Sequence, residues 1–355
     1  MQSLKADLGI FKGKNHMAGE NKYYTGILAQ FETYLQHSVQ EHMSASDRPT
    51  ELYEPMQYAL GQGGKRVRPL CTLLASKLLN AKTENILPIA AALELFHNFT
   101  LLHDDVMDHS DMRRGRPSVV AKYGLSTAIL SGDAMFALAF HILVHSEAGI
   151  TAPIRSEISQ AFSRMCLAIM EGQQFDMNYE DAPDTSIAEY IRMIRLKTAE
   201  LFAAALKIGA LAGNCGTELS NQLYNCGIDI GIAFQLRDDY LDVYGTSEVF
   251  GKPIGGDIAE NKKTWLLLKA SEKAREAGDD SLEKALLLED KDEKFRTVKA
   301  LYDHYQVPQA IDEEINRYTQ QALQQLDAIR NNYTVSQEPL TELCKLFKRM
   351  AGRHL

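Results

Sequence analysis

From Tyr23 to the C-terminus, apolar residues recur at spacings of three and four, and alternating runs rich in Val, Ile and Thr are missing. That period predicts helices throughout and an all-α fold. The helices are expected over residues 23–43, 52–61, 70–79, 86–108, 126–145, 154–178, 187–213, 218–242, 261–277, 292–305, 308–331 and 335–350. Several are apolar around most of their circumference. The segment 187–213 carries Leu196, Leu201, Phe202, Ala203, Ala204, Ala205 and Ile208, so it belongs inside a bundle rather than on its skin.

Breaks fall at Gly61-Gln62-Gly63-Gly64, Gly115-Arg116-Pro117, Asp181-Ala182-Pro183-Asp184 and between Gly251 and Gly256. No low-complexity linker divides the chain and no fixed repeat is visible. A single domain is therefore expected over residues 21–355, behind a flexible N-terminal tail over residues 1–20. The tail carries Lys5, Lys12 and Lys14 but no apolar run, unlike a signal peptide, and Met17 would serve as a natural start. Apolar stretches such as residues 134–144 fall short of the roughly 20 residues a membrane helix needs, so no membrane span is expected.

Composition narrows the function classes. With 45% hydrophobic and 24% charged residues in 355, the chain is neither disordered nor fibrous. A net charge of −9 lacks the basic balance of a nucleic-acid binder, so no nucleic-acid partner is expected. Cys71, Cys166, Cys215, Cys226 and Cys344 are scattered, without a Cys-x-x-Cys pair or a His at zinc-ligand spacing. That usage points to a reducing, cytoplasmic compartment.

The chemistry concentrates at two helix ends. In His103-Asp104-Asp105-Val106-Met107-Asp108 an apolar helix ends in carboxylates at i, i+1 and i+4, which places Asp104 and Asp108 one turn apart on one face. Such a pair repels by ~0.3 kcal/mol unless a cation sits between the two. An isolated acidic triplet would read as a solvated helix end, but Asp238-Asp239-Tyr240-Leu241-Asp242 repeats the pattern after another apolar helix. Carboxylate oxygens suit hard divalent cations, and Mg²⁺ combines few protein carboxylates with waters and substrate phosphates. Each motif looks like half of a clamp on a polyphosphate.

Cations accompany both motifs: Arg113 and Arg114 after the first, Lys252, Lys262 and Lys263 after the second, and a basic turn at Lys65, Arg66 and Arg68. Arg offers phosphate a bidentate fork and Lys a point charge. The turn is not a Walker A loop, since Ala59 stands where that motif has Gly and Arg66 where it has Ser or Thr. His103-Asp104 matches the dipeptide of an HD-type phosphohydrolase, but that chemistry needs further His ligands and the second motif supplies none.

In order, Gly63-Gly64-Lys65-Arg66-Val67-Arg68-Pro69, the first aspartate motif with Arg113-Arg114-Gly115-Arg116-Pro117, Gly172-Gln173-Gln174-Phe175-Asp176, Lys197-Thr198, Phe234-Gln235 with the second aspartate motif, and Gly251-Lys252 resemble the trans-isoprenyl diphosphate synthases. This is the farnesyl and geranylgeranyl diphosphate synthase family, and the likeness runs from Tyr23 to the C-terminus. It implies a single-domain bundle of about twelve helices around a deep central cavity, usually in a homodimer. It also implies that Asp104, Asp105 and Asp108 with Asp238 hold a trio of Mg²⁺ ions on the allylic diphosphate, with Asp242 in support. Arg113, Lys197 and Lys252 would hold the same diphosphate, assisted by Lys263, while Lys65, Arg68, His97 and Arg114 would bind isopentenyl diphosphate. Thr198 and Gln235 would lie beside the reacting carbons.

The expected reaction is head-to-tail condensation of isopentenyl diphosphate with dimethylallyl, geranyl or farnesyl diphosphate. A class I terpene cyclase would have no need for Lys65, Arg68 and His97, and a non-catalytic subunit of a heteromeric synthase would typically lack one aspartate motif. In this family the residues eight, five and four positions before the first motif act as a floor for the growing chain; here they are Phe96, Phe99 and Thr100. One aromatic at the fifth position, a small residue at the fourth and no insertion in the motif resemble the geranylgeranyl pattern more than the farnesyl one. Geranylgeranyl diphosphate is the expected main product, with farnesyl diphosphate second. On an ideal wheel at about 100° per residue, Thr100 and His97 align with Asp104 better than Phe99 does, so the floor role of Phe99 rests on the resemblance.

Overall fold

The computed structural model describes residues 22–43, 48–146, 149–182, 184–246 and 254–352. In chain order it forms α1 (Lys22–Met43), α2 (Thr50–Gly61), α3 (Val67–Lys77), α4 (Thr83–Met107), α5 (Val119–Tyr123), α6 (Leu125–His145) and α7 (Ala152–Asp181). α8 (Ile187–Ile194) passes through a π-helical turn (Arg195–Ala199) into α9 (Glu200–Ala212). There follow α10 (Thr217–Tyr244), α11 (Gly256–Ala259), α12 (Trp265–Ala277), α13 (Ser281–Leu286), α14 (Lys291–His304), α15 (Val307–Asn332) and α16 (Gln337–Gly352). The sheet content of the described residues is one antiparallel ribbon, β1 (Met112–Arg113) with β2 (Arg116–Pro117). The fold is all-α, as the period of the sequence requires. The expected tail over residues 1–20 and the expected site residue Lys252 lie outside the described residues.

The chain divides into two compact units. Of the described residues, the first takes in those up to Ser159 together with Ile208–Gly216, and the second those in Gln160–Lys207 and from Thr217 onward. In the first, α4 packs on α3 and α6 and buries Ile86, Leu93, Leu95, Phe96 and Leu102. α3 starts at Val67, three residues before the expected position, because Pro69 is accommodated inside the first turn. Ahead of it Arg66 adopts the left-handed conformation, φ 49°. Its buried guanidinium donates to Glu32 at 2.8 Å, to Glu94 at 2.6 Å and to the Leu60 carbonyl at 3.1 Å. These bonds select the strained backbone. The charge of Arg66 thus points into the core and ties α1, α3 and α4 together, rather than joining a basic surface.

Two helices exceed the length that the apolar runs suggested. α4 and α6 are both long and apolar enough to cross a membrane. The most apolar window of α4 is 72% buried within the fold, whereas that of α6 is 39% buried.

In the second unit α10 packs on α15 and on the π turn. Glycines set the spacing. A Cβ on Gly231 would lie 2.5 Å from Ala199 Cα, and one on Gly172 would lie 2.3 Å from the Lys197 nitrogen. Real Cβ atoms do not approach so closely, so α7 and α10 reach the π turn only because both positions are Gly. α8 opens on a capping box in which the Ser186 hydroxyl accepts from the Glu189 N–H and the Glu189 carboxylate accepts from the Ser186 N–H.

Candidate active site

In the first unit α4 delivers the first aspartate motif. Asp104 is partly exposed, Asp105 is buried, and Asp108 is the exposed residue that caps the helix. Asp105 Oδ1 accepts two bonds from Arg113, from Nε at 2.9 Å and from Nη2 at 2.5 Å. Arg113 is held there by the ribbon, in which it pairs with Arg116 across a two-residue turn. Arg114 and Gly115 form that turn with φ of 51° and 73°, the positive pair that a type I′ hairpin needs. The Pro117 carbonyl accepts from Tyr58 Oη at 2.9 Å and from Gln62 Nε2 at 3.1 Å, which ties the ribbon to α2.

The Arg114 guanidinium lies over Gly64, 3.1 Å from where a Cβ would stand. Lys65 is exposed beside the start of α3. On the first turns of α3 and the middle of α4, Arg68 Nη1 meets His97 Nε2 at 3.2 Å. A guanidinium only donates, so Nε2 accepts and the ring proton sits on Nδ1. Burial, together with the charges of Arg68, Arg114, Arg66 and Arg113, lowers the His97 pKa well below its ordinary value, so the ring is neutral at pH 7. Desolvation lowers Arg68 only to about 10, so it stays charged. The expected isopentenyl diphosphate ligands in this unit therefore form a patch of positive field around one neutral imidazole.

Phe96 is fully buried and Phe99 is 7% exposed. Phe136 of α6, which sequence reasoning missed, stacks on Phe99 at 5.3 Å and packs edge-on to Phe96 at 5.8 Å. His103 packs against Phe99 at 4.7 Å and meets the Ile129 carbonyl at 3.2 Å, which engages it in helix packing. The Thr100 hydroxyl donates to the His97 carbonyl of its own helix at 2.8 Å.

In the second unit the π turn presents Lys197 and Thr198. Periodicity alone reads 187–213 as one helix; the wide turn goes unseen because one inserted residue barely alters the spacing of its apolar positions. Such insertions recur at functional sites. Lys197 Nζ pairs with Asp176 at 2.5 Å, a partner the sequence motif contained without assigning it a role. The Thr198 hydroxyl donates to Gln235 Oε1 at 2.9 Å, and Gln235 Nε2 donates to Asp239 Oδ1 at 3.0 Å. Tyr190 of α8 donates to the other oxygen of Asp239. Both Tyr190 and Asp239 are buried, at 3% and 4% exposure, and neither was among the expected site residues. Burial, with Asp257 and Asp238 nearby, pushes the Asp239 carboxyl up to about 8 against the opposing bonds from Tyr190 and Gln235.

Asp238 is partly exposed, whereas Asp242 is buried. Asp242 Oδ2 accepts from the Asp257 N–H at 3.0 Å and its carbonyl from Gly255 at 2.7 Å, so it braces the turn into α11. That geometry matches a supporting role better than that of a direct ligand. Lys263, expected on the diphosphate, here donates to the carbonyls of Tyr179 at 2.6 Å, Glu180 at 3.2 Å and Ala182 and so caps the C-terminal end of α7.

Among the described residues no three His, Cys, Asp or Glu side chains converge into a ready metal cage. Asp104, Asp108 and Asp238 nevertheless offer hard oxygen donors at least partly open to solvent. A donor set of this kind fits Mg²⁺, which takes one or two carboxylates and completes its shell with water and phosphate oxygens.

Comparison with known proteins agrees with this chemistry. The polyprenyl synthetase family model matches residues 49–305. The geranylgeranyl diphosphate synthase of Methanosarcina mazei is 43% identical over 227 residues, 64% of this chain and 69% of that protein. The geranylfarnesyl diphosphate synthase of Aeropyrum pernix is 38% identical over 243 residues, 68% of this chain and 76% of that protein. The crystal structure of geranylgeranyl pyrophosphate synthase from Corynebacterium glutamicum, complexed with isoprenyl diphosphate and magnesium, superposes with a TM-score of 0.81 at 27% identity, covering 94% of this chain and 99% of that one. The chain belongs to the polyprenyl synthetase family and is a prenyltransferase of the trans-isoprenyl diphosphate synthase type.

Proposed function

We propose that residues 21–355 act as one isoprenyl diphosphate synthase domain that condenses isopentenyl diphosphate with dimethylallyl, geranyl or farnesyl diphosphate, Mg²⁺-dependently, to give chiefly geranylgeranyl diphosphate. The observation that carries this reading is the presence, besides two aspartate motifs, of a further cluster in which the cations Arg68 and Arg114 flank the neutral ring of His97. A terpene cyclase, with a single diphosphate to bind, has no use for that cluster. Mass analysis of the products from isopentenyl diphosphate and each allylic partner tests it. Failure to elongate any of them would overturn the proposal.

A trio of Mg²⁺ ions, held by Asp104, Asp105, Asp108 and Asp238, would neutralise the allylic diphosphate so that it can leave. Arg113 and Lys197 bind the same group. Each is pre-oriented by an acidic partner, Asp105 and Asp176, which fixes its direction before substrate arrives. Thr198 and Gln235 set oxygen lone pairs beside the carbons that become cationic. Among the described residues no base is hydrogen-bonded to Thr198, whose partner is the amide of Gln235, so the proton released on coupling goes to the departing diphosphate. Apolar walls keep water from the cation.

Lys65, Arg68, Arg114 and the Nδ1–H of His97 hold the isopentenyl diphosphate. Arg68→Ala or His97→Ala should raise KM for isopentenyl diphosphate by about 10- to 150-fold, the equivalent of a charge-assisted hydrogen bond, and KM for the allylic substrate far less. Equal effects on both substrates in steady-state kinetics would show the two pockets to be misassigned.

The enzyme works as a homodimer in the reducing cytoplasm, a setting supported by five free thiols. The exposed face of α6 supports the dimer. Leu125 is 55% exposed, Leu130 60% and Phe140 43%, large apolar side chains that a second copy of the chain would remove from water. A dimer seam also accounts for α6 without a membrane span. Leu130→Asp with Phe140→Asp should convert a dimer to a monomer in sedimentation velocity. A wild-type monomer that floats with lipid vesicles would instead identify α6 as a membrane contact.

A further inference from the structure

The buried pair Tyr190–Asp239 touches no position at which either substrate is placed, yet it abuts the two residues that flank the reacting carbons. Asp239 Oδ2 accepts from the Tyr190 phenol and Oδ1 accepts from Gln235 Nε2 at 3.0 Å, so with both of its oxygens used as acceptors Asp239 turns the amide of Gln235 to face it through Nε2. The Gln235 Oε1 must then face Thr198, which leaves the Thr198 hydroxyl one satisfactory choice, to donate at 2.9 Å. With its proton committed to Gln235, the Thr198 oxygen presents only lone pairs to its remaining neighbours. Flipping the amide would reverse every polarity in the chain and aim a hydroxyl hydrogen, with its partial positive charge, the other way.

We propose that Tyr190 and Asp239 are positioning residues that set the amide orientation of Gln235, and through it the donor direction of Thr198, so that oxygen lone pairs rather than a proton meet the allylic cation. This inference rests on the reading of the chain as a prenyl diphosphate synthase. Tyr190 holds the carboxylate from the far side, and it is available for that because its phenol stays protonated in its buried place beside Asp239. The capping box on Ser186 and Glu189 starts α8 one turn earlier and fixes where the phenol reaches α10.

The test is a double-mutant cycle read in single-turnover condensation, with KM for both substrates and the Mg²⁺ concentration for half-maximal rate measured alongside. Tyr190→Phe should lower the single-turnover rate about tenfold and Thr198→Val about thirtyfold, while the double variant stays near thirtyfold instead of multiplying to about three hundredfold. Both KM values and the Mg²⁺ half-saturation should stay within about twofold, and Thr198→Ser, which keeps the hydroxyl, should stay near the parent rate alone and near the tenfold loss when combined with Tyr190→Phe. If Tyr190→Phe fails to fold, Gln235→Leu in place of it must show the same non-additivity with Thr198→Val. Multiplying effects, an unchanged rate in Tyr190→Phe, or a shifted Mg²⁺ half-saturation would overturn the proposal. A parent enzyme that makes no elongated product would instead refute the synthase reading itself, so the two failures are told apart.

Discussion

Asp104→Ala or Asp238→Ala should lower kcat by about a thousandfold or more, because each removes a carboxylate on which neutralisation of the leaving diphosphate depends. Both side chains are partly exposed at helix ends and carry little of the core, so the helical circular dichroism should be nearly unchanged. The neighbouring carboxylates give the contrast. Asp105→Ala releases Arg113 from its two bonds at 2.9 and 2.5 Å, and Asp242→Ala frees the turn at Gly255–Asp257, so these variants should lose thermal stability as well as rate. Excess EDTA should abolish turnover of the parent enzyme, with recovery on adding Mg²⁺ back. Full turnover in EDTA would remove the metal from the reaction.

What the sequence revealed and what it hid divide along a physical line. The aspartate motifs were legible because their spacing is a local property of a helix, whereas Lys197-Thr198 stood out only through the family resemblance. Direction was not legible. Arg66 and Arg68 sit two residues apart in one basic turn, yet one is sealed into a core ion-pair network with Glu32 and Glu94 while the other meets His97. Lys263 follows an acidic motif, and nothing local shows that its ammonium also reaches the end of α7. Tyr190 and Asp239 are 49 residues apart, so no local pattern announces their bond. The π turn and the Arg114–Gly115 hairpin escaped for a different reason, since the first preserves the apolar run and the second lacks the Asn-Gly or Asp-Gly pair that usually marks such a turn.

Product length should respond to the aromatic cluster of α4 and α6, and the structure changes which variants test it. The relatives in Methanosarcina mazei and Aeropyrum pernix are named for products that differ by one isoprene unit, although both are similar to this chain at 43% and 38% identity. A difference of that size within one family is the scale that a few side chains can set. Phe99 stacks on Phe136 at 5.3 Å, so removing one ring leaves the other still filling the space. Phe99→Ala alone should shift the distribution partly toward longer products, and Phe99→Ala with Phe136→Ala should shift it most. Phe96 lies wholly buried behind them, and Phe96→Ala should cost about 3–5 kcal/mol of stability as a core cavity while opening the floor from below. Thr100 spends its hydroxyl on the His97 carbonyl, so a larger side chain there should shorten the product by filling space, with no polar contact to substrate lost. Chain-length analysis by mass spectrometry checks all four. An unchanged distribution in Phe99→Ala, Phe136→Ala and the double variant would mean that these rings are ordinary core and that the ruler lies elsewhere.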